Sequence, residues 1–466
     1  MFFKNLKKQV ENHPGKTAVQ DSERELTYRQ LWDELSEKRE IACSRGIDKD
    51  SKILLQMNNS CDWITNVLAF MAVGAKTVMI SPDSTDAQIQ YLDSELHFDE
   101  ILTEDNCASF FAHNEPASLN REFELPDSRT EVVYHVTSGS TGEVKICIRT
   151  LAQFQAEGQM YQERLGLDEQ DVVVCPLPLY HSFAFGAAFI SSLRCGAALV
   201  LLKRFTPRNY LQTIIQKKAT VSFIVPVMAR MLTKCKLDTN TGIECLRYLV
   251  VGAGVINEEL FSDFQNCFGI VLSANYGSSE TGGIITRVDA ESFPSIGLPM
   301  DGVVVEIRGE TGEKLKPGTE GEIWVKAKSM MNRYYHKKEV YDERGYFFTG
   351  DLARVDNKGN VYITGRVKNI INIGGKKVNA VYVENILKTH PAIQDAVVIG
   401  KKRLDGEECL VSAITVCEEI EVKDIYQFLQ DKIEQYMIPT VIRILDKIPK
   451  NNMGKVQYEE VMKCMY

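Results

Sequence analysis

Short apolar runs alternate with helix-like stretches through the middle of this chain, and this alternation restricts its fold more than any other feature. Between residues 171 and 226, apolar runs at 172–179, 197–202 and 221–225 are separated first by an amphipathic stretch and then by a helix-like one. Short buried strands that alternate with helices are typical of a mainly parallel sheet covered on both faces. A further unit of this kind follows at 246–276, so the sequence predicts an α/β fold.

The pattern changes after Gly302. Short alternating runs at 303–308, 321–326 and 345–364, punctuated by Gly, Pro and Asp, predict an antiparallel β-rich subdomain. Beyond Lys368 a compact αβ pattern resumes, long enough for a small separate domain. We therefore expect a large N-terminal domain over 1–366, with two doubly covered, mainly parallel sheets plus the β-rich subdomain. A small, mobile α+β domain should occupy 367–466.

Composition excludes several classes of protein. The 466 residues are 44% hydrophobic and 25% charged, which is ordinary globular usage, and their net charge of −9 provides no positive field for a nucleic-acid backbone. No apolar run approaches the roughly 20 residues that span a bilayer. The 12 cysteines are scattered singly, without a CxxC pair, as in reduced intracellular proteins. We expect a cytoplasmic monomer or homodimer with no nucleic-acid partner and no membrane span.

A loop of small hydroxyl and glycine residues follows a strand-like run at 132–136. Closely spaced backbone N–H groups, hydroxyl donors and a mobile lysine are the groups that grip phosphate oxygens. The loop is not a Walker A sequence, because no Gly-Lys-[Ser/Thr] closes it, and a solvated linker is the alternative interpretation. Its residues are Thr137, Ser138, Gly139, Ser140, Thr141, Gly142 and, three positions on, Lys145.

A second cluster follows a predicted strand directly. In such a cluster a tyrosine can stack on a base, a serine such as Ser279 can donate to a phosphate, and Glu280 can hold Mg²⁺. Open α/β sheets bind ligands at the carboxyl ends of their strands. A turn with a solvated glutamate is the alternative. The cluster comprises Asn275, Tyr276, Gly277, Ser278, Ser279 and Glu280, followed by Thr281, Gly282 and Gly283.

Two further signals lie in the C-terminal third. The carboxylate of Asp351, in a Thr-Gly-Asp turn, can accept both hydroxyl protons of a ribose, and Arg366, 15 residues later, can complete the sugar and phosphate contacts. Lys455 follows Gly454 near the C-terminus. Taken separately, Thr-Gly-Asp is a common turn and Gly-Lys is a common charged surface turn.

Taken in order, these motifs resemble the core motifs of the adenylate-forming superfamily, which includes acyl-CoA synthetases, peptide-synthetase adenylation domains and luciferases. The resemblance runs from the Thr27-Tyr28-x-x-Leu31 segment to Lys455, and the pattern is most similar to acyl- or aryl-CoA ligases. It implies a two-step ligase. A carboxylate attacks the α-phosphorus of ATP to give an acyl-adenylate and pyrophosphate, and a thiol then displaces AMP.

The resemblance also implies a role for each motif. The loop from Thr137 to Lys145 would hold the β- and γ-phosphates, Ser279 the α-phosphate, Glu280 Mg²⁺, Asp351 the ribose hydroxyls and Arg366 the ribose edge. The adenine slot would be lined by Gly252, Ala253, Gly254 and Tyr276. Lys455 would bridge carboxylate, ribose and α-phosphate oxygens, as the chemistry requires, since two anions must meet. Lys455, Glu280 and Arg366 are the expected catalytic residues.

In this family the small domain swings about a hinge two positions after the arginine, which here is Lys368. Lys455 would then leave after adenylation, and the Gly374-Gly375 loop would replace it. The sequence departs from the family pattern at four positions, where Pro, Pro, Glu and Thr are usual, although none of these changes removes an essential charge. They are Val144, Ala380, Tyr382 and Asn451.

The segment 176–186 resembles the family's substrate wall. Amino-acid-activating members carry Phe-Asp where this chain has Phe183-Ala184, so an α-amino acid is disfavoured, because its buried ammonium would lack a partner. His181-Ser182-Phe183 is similar to fatty-acyl and aryl-acyl CoA ligases, in which this position gates the carboxylate; a packed core histidine is the alternative. His181 is thus an expected substrate contact, and the expected apolar lining is Phe183, Phe185, Val227, Met228, Gly282 and Gly283.

We therefore expect an ATP- and Mg²⁺-dependent ligase that joins a fatty or aryl acid to a phosphopantetheine thiol, with coenzyme A favoured. The strongest alternative is an adenylation enzyme that loads a carrier protein in trans. A luciferase-like oxidative role would use the same motifs. A silent binding protein is disfavoured, because Lys455, Glu280 and Asp351 are all present.

Overall fold

The computed structural model describes residues 2–112, 124–138, 144–235, 243–337, 340–373, 376–402, 408–450, 454 and 456–465. Packing divides the chain into two compact units. Unit 1 comprises Met1–Val304 and Lys326–Asp342, and unit 2 comprises Val305–Val325 and Glu343–Tyr466. The β-rich segment thus packs with the C-terminal elements in unit 2. The expected boundary at 366/367 separates parts that move relative to each other during catalysis, and it stays a prediction.

The described helices are α1 (Phe2–Asn12), α2 (Tyr28–Ser44), α3 (Cys61–Val73), α4 (Asp86–Leu96), α5 (Glu104–Phe111), α6 (Leu151–Leu165), α7 (Ser182–Ala184), α8 (Ser191–Cys195), α9 (Pro207–Lys217), α10 (Pro226–Thr233), α11 (Glu258–Phe268), α12 (Ala380–Lys388), α13 (Val422–Gln430) and α14 (Tyr458–Cys464). A π-helical segment, Phe185–Ile190, joins α7 to α8, and 3₁₀ turns occupy Val367–Asn369 and Gln435–Met437.

The described strands are β1 (Thr17–Gln20), β2 (Glu25–Thr27), β3 (Lys52–Gln56), β4 (Lys76–Ile80), β5 (Glu100–Thr103), β6 (Glu131–Ser138), β7 (Val144–Thr150), β8 (Val172–Cys175), β9 (Ala198–Leu201), β10 (Val221–Ile224), β11 (Tyr248–Val251), β12 (Leu272–Ser278), β13 (Gly282–Thr286), β14 (Leu298–Pro299), β15 (Val304–Arg308), β16 (Gly321–Lys326), β17 (Arg333–Tyr334), β18 (Phe347–Val355), β19 (Val361–Arg366), β20 (Ile370–Ile373), β21 (Lys376–Asn379), β22 (Ile393–Lys402), β23 (Glu408–Val416) and β24 (Val441–Ile444).

Two sheets form the framework of unit 1. The described strands of the first are ordered β17-β7-β6-β4-β3-β5, with parallel pairing from β5 through β6 and antiparallel pairing of β7 and β17. Those of the second are ordered β14-β13-β12-β11-β10-β8-β9-β1-β2, and it is parallel from β12 to β1. The apolar runs predicted as strands at 172–179, 197–202 and 221–225 are β8, β9 and β10. They are almost wholly buried, as expected for strands covered on both faces.

Local sequence signals explain where the helices of unit 1 begin and end. The hydroxyl of Ser60 accepts the N–H of Trp63 at 3.0 Å and caps α3, which ends at Gly74 in the left-handed region at φ 92°. Helix α3 is buried nearly all round, since its sequence is apolar on every face. The amphipathic stretch predicted between the first two apolar runs forms α7, the π-helical segment and α8, and π-helical turns are frequent near functional sites.

Unit 2 is built mainly from antiparallel strands. One sheet has the order β15-β16-β18-β19, β20 and β21 form a hairpin, and a third sheet has the order β22-β23-β24. Helices α12 and α13 bury apolar faces, including Val383, Leu387, Ile425 and Leu429, in a core shared with β22 and β23. The predicted fold class, a mixed α/β chain with a large part built on parallel sheets and a small α+β part, is confirmed. Across the described ranges, none of the helices has the length and apolar character needed to cross a membrane.

Candidate functional site

The ends of the predicted phosphate loop lie opposite each other on a hairpin. Strands β6 and β7 pair antiparallel with Thr137 opposite Lys145, and the Thr137 hydroxyl donates to the Lys145 carbonyl at 3.2 Å. The Lys145 side chain is exposed. Gly139, Ser140, Thr141 and Gly142, and the side chain of Ser138, lie outside the described residues. The hairpin therefore fixes both flanks of the loop.

The second motif forms the turn between β12 and β13. Gly277 is required there, because a Cβ at that position would lie 2.1 Å from the Gly282 carbonyl oxygen. The Ser278 N–H donates to the Thr281 hydroxyl at 3.0 Å, and the Glu280 N–H donates to the Ser278 hydroxyl at 3.2 Å. These bonds order the backbone that presents Ser279 and Glu280.

Asn275, predicted to contact the cofactor, is 9% exposed. Its amide oxygen accepts hydrogen bonds from the hydroxyls of Tyr161 and Thr286, both at 2.9 Å. Its observed contacts therefore tie β12 to α6 and β13. Tyr276, the predicted adenine neighbour, is half-buried one position further along the strand.

The predicted acid wall meets this turn. The hydroxyl oxygens of Ser182 and Ser279 lie 3.1 Å apart, within hydrogen-bond distance. The Phe183 ring packs on Gly252, where a Cβ would lie only 2.7 Å from the ring. Three predicted segments, the wall, the adenine loop and the serine–glutamate turn, are thus neighbours within unit 1.

The adenine loop 252–254 has an unusual backbone. Ala253 adopts φ 61°, in the left-handed region that favours glycine. A Cβ on Gly254 would lie 2.9 Å from Pro226, at the start of α10. The loop is held between Phe183 on one side and α10 on the other.

The remaining residues predicted to contact the acid differ in their burial. Phe185 is fully buried, with ring centroids 4.8 Å from Phe154 and 5.1 Å from Phe189, so its observed contacts are those of a core residue. The His181 ring lies tilted by 48° against that of Tyr180, with the ring centroids 4.4 Å apart. Val227, on α10, is 40% exposed. Gly282 is buried at φ 68°, and Met228 is partly buried against the hydrophobic core that includes Ile224 of β10.

A buried ion pair lies behind the glycine pair. Arg149 Nη1 and Glu157 Oε2 are 2.7 Å apart, and both side chains are 0% exposed. Glu157 Oε1 also accepts the Gly283 N–H at 2.9 Å. A Cβ on Gly282 would lie 2.8 Å from the Glu157 carboxyl carbon, and one on Gly186 would lie 2.1 Å from it. The glycines therefore make room for this carboxylate, whose charge Arg149 balances.

Glu280 has a partner from a distant part of the chain. The Tyr334 hydroxyl donates to Glu280 Oε1 at 2.8 Å, and the Met331 N–H donates to the Glu280 carbonyl at 2.6 Å. Burial and the neighbouring Glu280 carboxylate raise the pKa of Tyr334, so its hydroxyl remains protonated and donates. The Lys145 ammonium lies 5.5 Å from the centroid of the Tyr334 ring.

In unit 2 the two predicted ribose residues form an ion pair. Asp351 and Arg366 face each other on β18 and β19, and Arg366 Nε lies 2.7 Å from Asp351 Oδ1. Asp351 is buried, whereas the Arg366 side chain is 52% exposed. Gly350 at φ 78° supplies the left-handed turn before the aspartate. The side chain of Lys368, and all of Gly374, Gly375 and Lys455, lie outside the described residues.

The residues fit a magnesium ion bound together with a nucleotide. Among the described residues, no group of three or more His, Cys, Asp and Glu side chains could hold a metal ion. Mg²⁺ is commonly bound by one or two carboxylates plus substrate phosphates. Glu280 offers one carboxylate at a half-buried turn, with its backbone fixed.

Sequence reasoning missed three residues of this site: Arg149, Glu157 and Tyr334. Arg149 ends β7 and Glu157 lies on α6, where isolated charges usually indicate a solvated face. The buried carboxylate is flanked by Gly186 and Gly282. These glycines were the one sequence signal that a side chain approaches the backbone closely there. Tyr334 and Tyr335 are consecutive in the sequence, and such an aromatic pair by itself indicates only packing in a core.

The fold and the site define an adenylate-forming enzyme. The chain belongs to the AMP-binding enzyme family, which matches residues 6–335, and the AMP-binding enzyme C-terminal domain matches residues 382–455. It is an acid–thiol ligase of the acyl-CoA synthetase type. Membership of this family implies use of ATP.

Curated relatives agree with this assignment, and solved structures share the fold. The chain is 25% identical to a 2-succinylbenzoate–CoA ligase of Bacillus cereus over 96% of its length and 95% of the relative's. It is 30% identical to a crotonobetaine/carnitine–CoA ligase of Salmonella arizonae over 71% of its own length and 66% of the relative's. ATP-bound MatB from Rhodopseudomonas palustris shares the fold, with a TM-score of 0.91 at 20% identity over 99% of this chain and 98% of that one. So does o-succinylbenzoate CoA synthetase (MenE) from Bacillus subtilis, with a TM-score of 0.88 at 22% identity over 98% and 97%.

Proposed function

We propose that this enzyme adenylates a fatty or aryl carboxylic acid with ATP and transfers the acyl group to a phosphopantetheine thiol, with coenzyme A as the thiol. The observation that carries the proposal is the 3.1 Å approach of Ser182 to Ser279. It joins the proposed acid wall to the proposed α-phosphate contact. Adenylation requires that proximity, because a carboxylate oxygen must come within about 3–3.5 Å of the α-phosphorus before it can attack.

The residues of unit 1 have separate tasks in this proposal. Thr137 and Lys145 hold the outer phosphates, and Ser279 donates to the α-phosphate. Glu280 holds Mg²⁺, which neutralises triphosphate charge when bound. The carboxylate and the triphosphate repel each other, so these donors and cations lower the barrier mainly by positioning and by stabilising charge.

The residues of unit 2 serve the sugar and the attacking acid. Asp351 accepts hydrogen bonds from the ribose hydroxyls, and Arg366 fixes the orientation of that carboxylate through the 2.7 Å ion pair. Lys455 stabilises the charge that develops during the attack, and Lys368 is the hinge. These two roles rest on the family resemblance.

The chemistry of the wall supports the acid class. The segment 176–186 contains no carboxylate, and Glu157, which reaches Gly186 from α6, is already neutralised by Arg149. An α-amino acid would find no anionic partner for its ammonium there. The relatives named above are CoA ligases for 2-succinylbenzoate and for crotonobetaine or carnitine, which supports coenzyme A over a carrier protein. All 12 cysteines are free thiols, which supports the cytoplasmic location that we include in the proposal.

The test is acid-dependent exchange of labelled pyrophosphate into ATP. The panel contains 2-succinylbenzoate, crotonobetaine, benzoate, octanoate, hexadecanoate and phenylalanine, and each active acid is then offered coenzyme A or a phosphopantetheinylated carrier protein. We expect exchange with an aryl or fatty acid, none with phenylalanine, and thioester formation with coenzyme A.

Variants make this test specific to the site. Ser279→Ala should lower the exchange rate about 10²-fold, because it removes a donor to the reacting phosphate. Ser109→Ala, on the exposed face of α5, is the matched control and should leave the rate unchanged. Exchange with no acid of the panel except phenylalanine would contradict the proposal, and transfer only to the carrier protein would reassign the thiol.

A further inference from the structure

We propose that Tyr334 is a positioning residue that holds the Glu280 carboxylate in a fixed orientation, so that the carboxylate binds the nucleotide's metal ion through its other oxygen. This inference rests on the proposed metal role of Glu280. Its basis is the 2.8 Å hydrogen bond from the Tyr334 hydroxyl to Glu280 Oε1.

The segment 329–335, although distant in sequence, is hydrogen-bonded at three points to the turn that carries Glu280. The Ser329 hydroxyl donates to the Thr281 carbonyl at 2.7 Å, and the Met331 N–H donates to the Glu280 carbonyl at 2.6 Å. The third bond is that of Tyr334. Both the backbone and the side chain of Glu280 are therefore ordered by this segment.

The segment is equally well fixed on its other side. Strand β17 pairs with β7, with Tyr334 opposite Cys147, and the Asn332 N–H donates to the Ile148 carbonyl at 2.7 Å. Arg333 Nη2 lies 3.1 Å from Glu131 Oε2 at the start of β6. A two-residue strand could not hold this position alone, and these contacts anchor it at the sheet edge.

Tyr334 also connects the two charged groups assigned to the triphosphate. Its hydroxyl contacts Glu280, while its ring face lies 5.5 Å from the Lys145 ammonium, within cation–π range. The two contacts involve different parts of one side chain. Removing the hydroxyl should therefore affect the carboxylate alone, whereas removing the ring should affect the lysine as well.

A glutamate held in advance loses less side-chain freedom when it binds a metal ion than a mobile one does. Tyr334→Phe keeps the ring and deletes only the hydroxyl. We expect this variant to need about 5- to 30-fold more Mg²⁺ for half-maximal tightening of ATP binding, because a glutamate released from this hydrogen bond must give up its side-chain rotamer freedom when it binds the ion. Affinity for ATP in EDTA should stay within about twofold of the wild type.

The experiment is isothermal titration calorimetry of the full chain with α,β-methylene-ATP, first in EDTA and then over a series of Mg²⁺ concentrations. The matched control is Tyr335→Phe, at the neighbouring residue, whose ring packs 6.0 Å from that of Tyr134. Its Mg²⁺ midpoint should equal that of the wild type. Tyr334→Leu should weaken binding in EDTA as well, because the ring beside Lys145 is lost.

Two further variants separate the possible failures. Glu280→Gln should abolish the Mg²⁺ effect, and Tyr334→Phe/Glu280→Gln should bind no more weakly than Glu280→Gln alone. An unchanged Mg²⁺ midpoint in Tyr334→Phe, with Glu280→Gln impaired, would overturn the positioning role and leave the proposed function intact. An unchanged midpoint in Glu280→Gln would overturn the metal assignment and this inference with it. Equal weakening of Tyr334→Phe with and without Mg²⁺ would mean a purely structural role.

Discussion

Replacement of Glu157 by alanine is expected to lower the free energy of unfolding of unit 1 by about 3–5 kcal/mol, because Arg149 would keep a buried charge without its partner. Both side chains are 0% exposed and their charged atoms are 2.7 Å apart. Water that entered the vacated space would not supply the lost negative charge. Arg149 would retain the Ser329 carbonyl at 2.8 Å and the face of Phe154 at 4.2 Å, neither of which carries a negative charge.

A second contribution comes from the backbone of the site. Glu157 Oε1 accepts the Gly283 N–H at 2.9 Å, and an unpaired buried donor typically costs about 1–3 kcal/mol. The two losses share one side chain and are not additive, so the expected total stays near 3–5 kcal/mol. We also expect faster amide hydrogen exchange in peptides that cover 275–286.

The assay is urea denaturation followed by tryptophan fluorescence, since Trp63 packs 6.2 Å from Phe185 in the adjoining aromatic cluster. The matched control is Glu163→Ala, an exposed position on the same helix, which should change stability by less than about 0.5 kcal/mol. The double variant Arg149→Met/Glu157→Met removes both charges at similar volume. It should recover most of the lost stability, as buried pairs replaced by apolar residues commonly do.

Two results would refute this reasoning. If Glu157→Ala unfolds at the same urea concentration as Glu163→Ala, the buried charge is not costly. If the double variant is as unstable as Glu157→Ala, the damage comes from lost packing instead of from an uncompensated Arg149.

Four further outcomes are expected. Asp351→Asn should weaken ATP binding about 10- to 30-fold and remove discrimination against 2′-deoxy-ATP, measured by competition binding; retained discrimination would argue against the ribose contact. Burial raises the pKa of Glu384 to about 7, so its contribution to stability is present below about pH 4.5 and is lost as the pH rises through about 7. Relative to wild type, Glu384→Gln should therefore gain roughly 2–3 kcal/mol between pH 4.5 and 8 in urea titrations, a range that allows for partial solvent screening, and a pH-independent difference would contradict the assignment. Ala253→Gly should raise the free energy of unfolding by about 0.5–1 kcal/mol by relieving the left-handed conformation, and a loss of stability in calorimetry would show that φ 61° is unstrained. Lys455→Ala should slow adenylate formation by about 10²–10³-fold and spare thioester formation from supplied acyl-adenylate, whereas equal loss of both steps would contradict the hinge model.

Local patterns predicted individual elements of the sheets but carried no signal for the order of the strands. Strands β8, β9 and β10 were predictable because strands buried on both faces are continuous apolar runs. The parallel pairing of β1 with β9 was not, since Val19 and Leu199 are 180 positions apart and no local period records such pairing. The same holds for β17, which is too short to be recognised and reaches β7 from far along the chain.

The candidate site shows a similar division. Ser279, Glu280, Asp351 and Arg366 could be predicted as site residues because their chemistry is tied to turn and strand-end motifs. The groups that support them were missed. Glu157 and Tyr334 act through contacts more than 50 residues distant, and a buried charge is indistinguishable in sequence from a solvated one.

The central claim is that a carboxylate oxygen attacks the α-phosphorus of ATP, and oxygen transfer tests it most directly. The enzyme is given an active acid labelled with ¹⁸O in both carboxylate oxygens, together with ATP and coenzyme A, and the products are analysed by mass spectrometry. The account predicts one ¹⁸O atom in AMP and none in pyrophosphate. Release of ADP with ¹⁸O in inorganic phosphate, or unlabelled AMP, would contradict it.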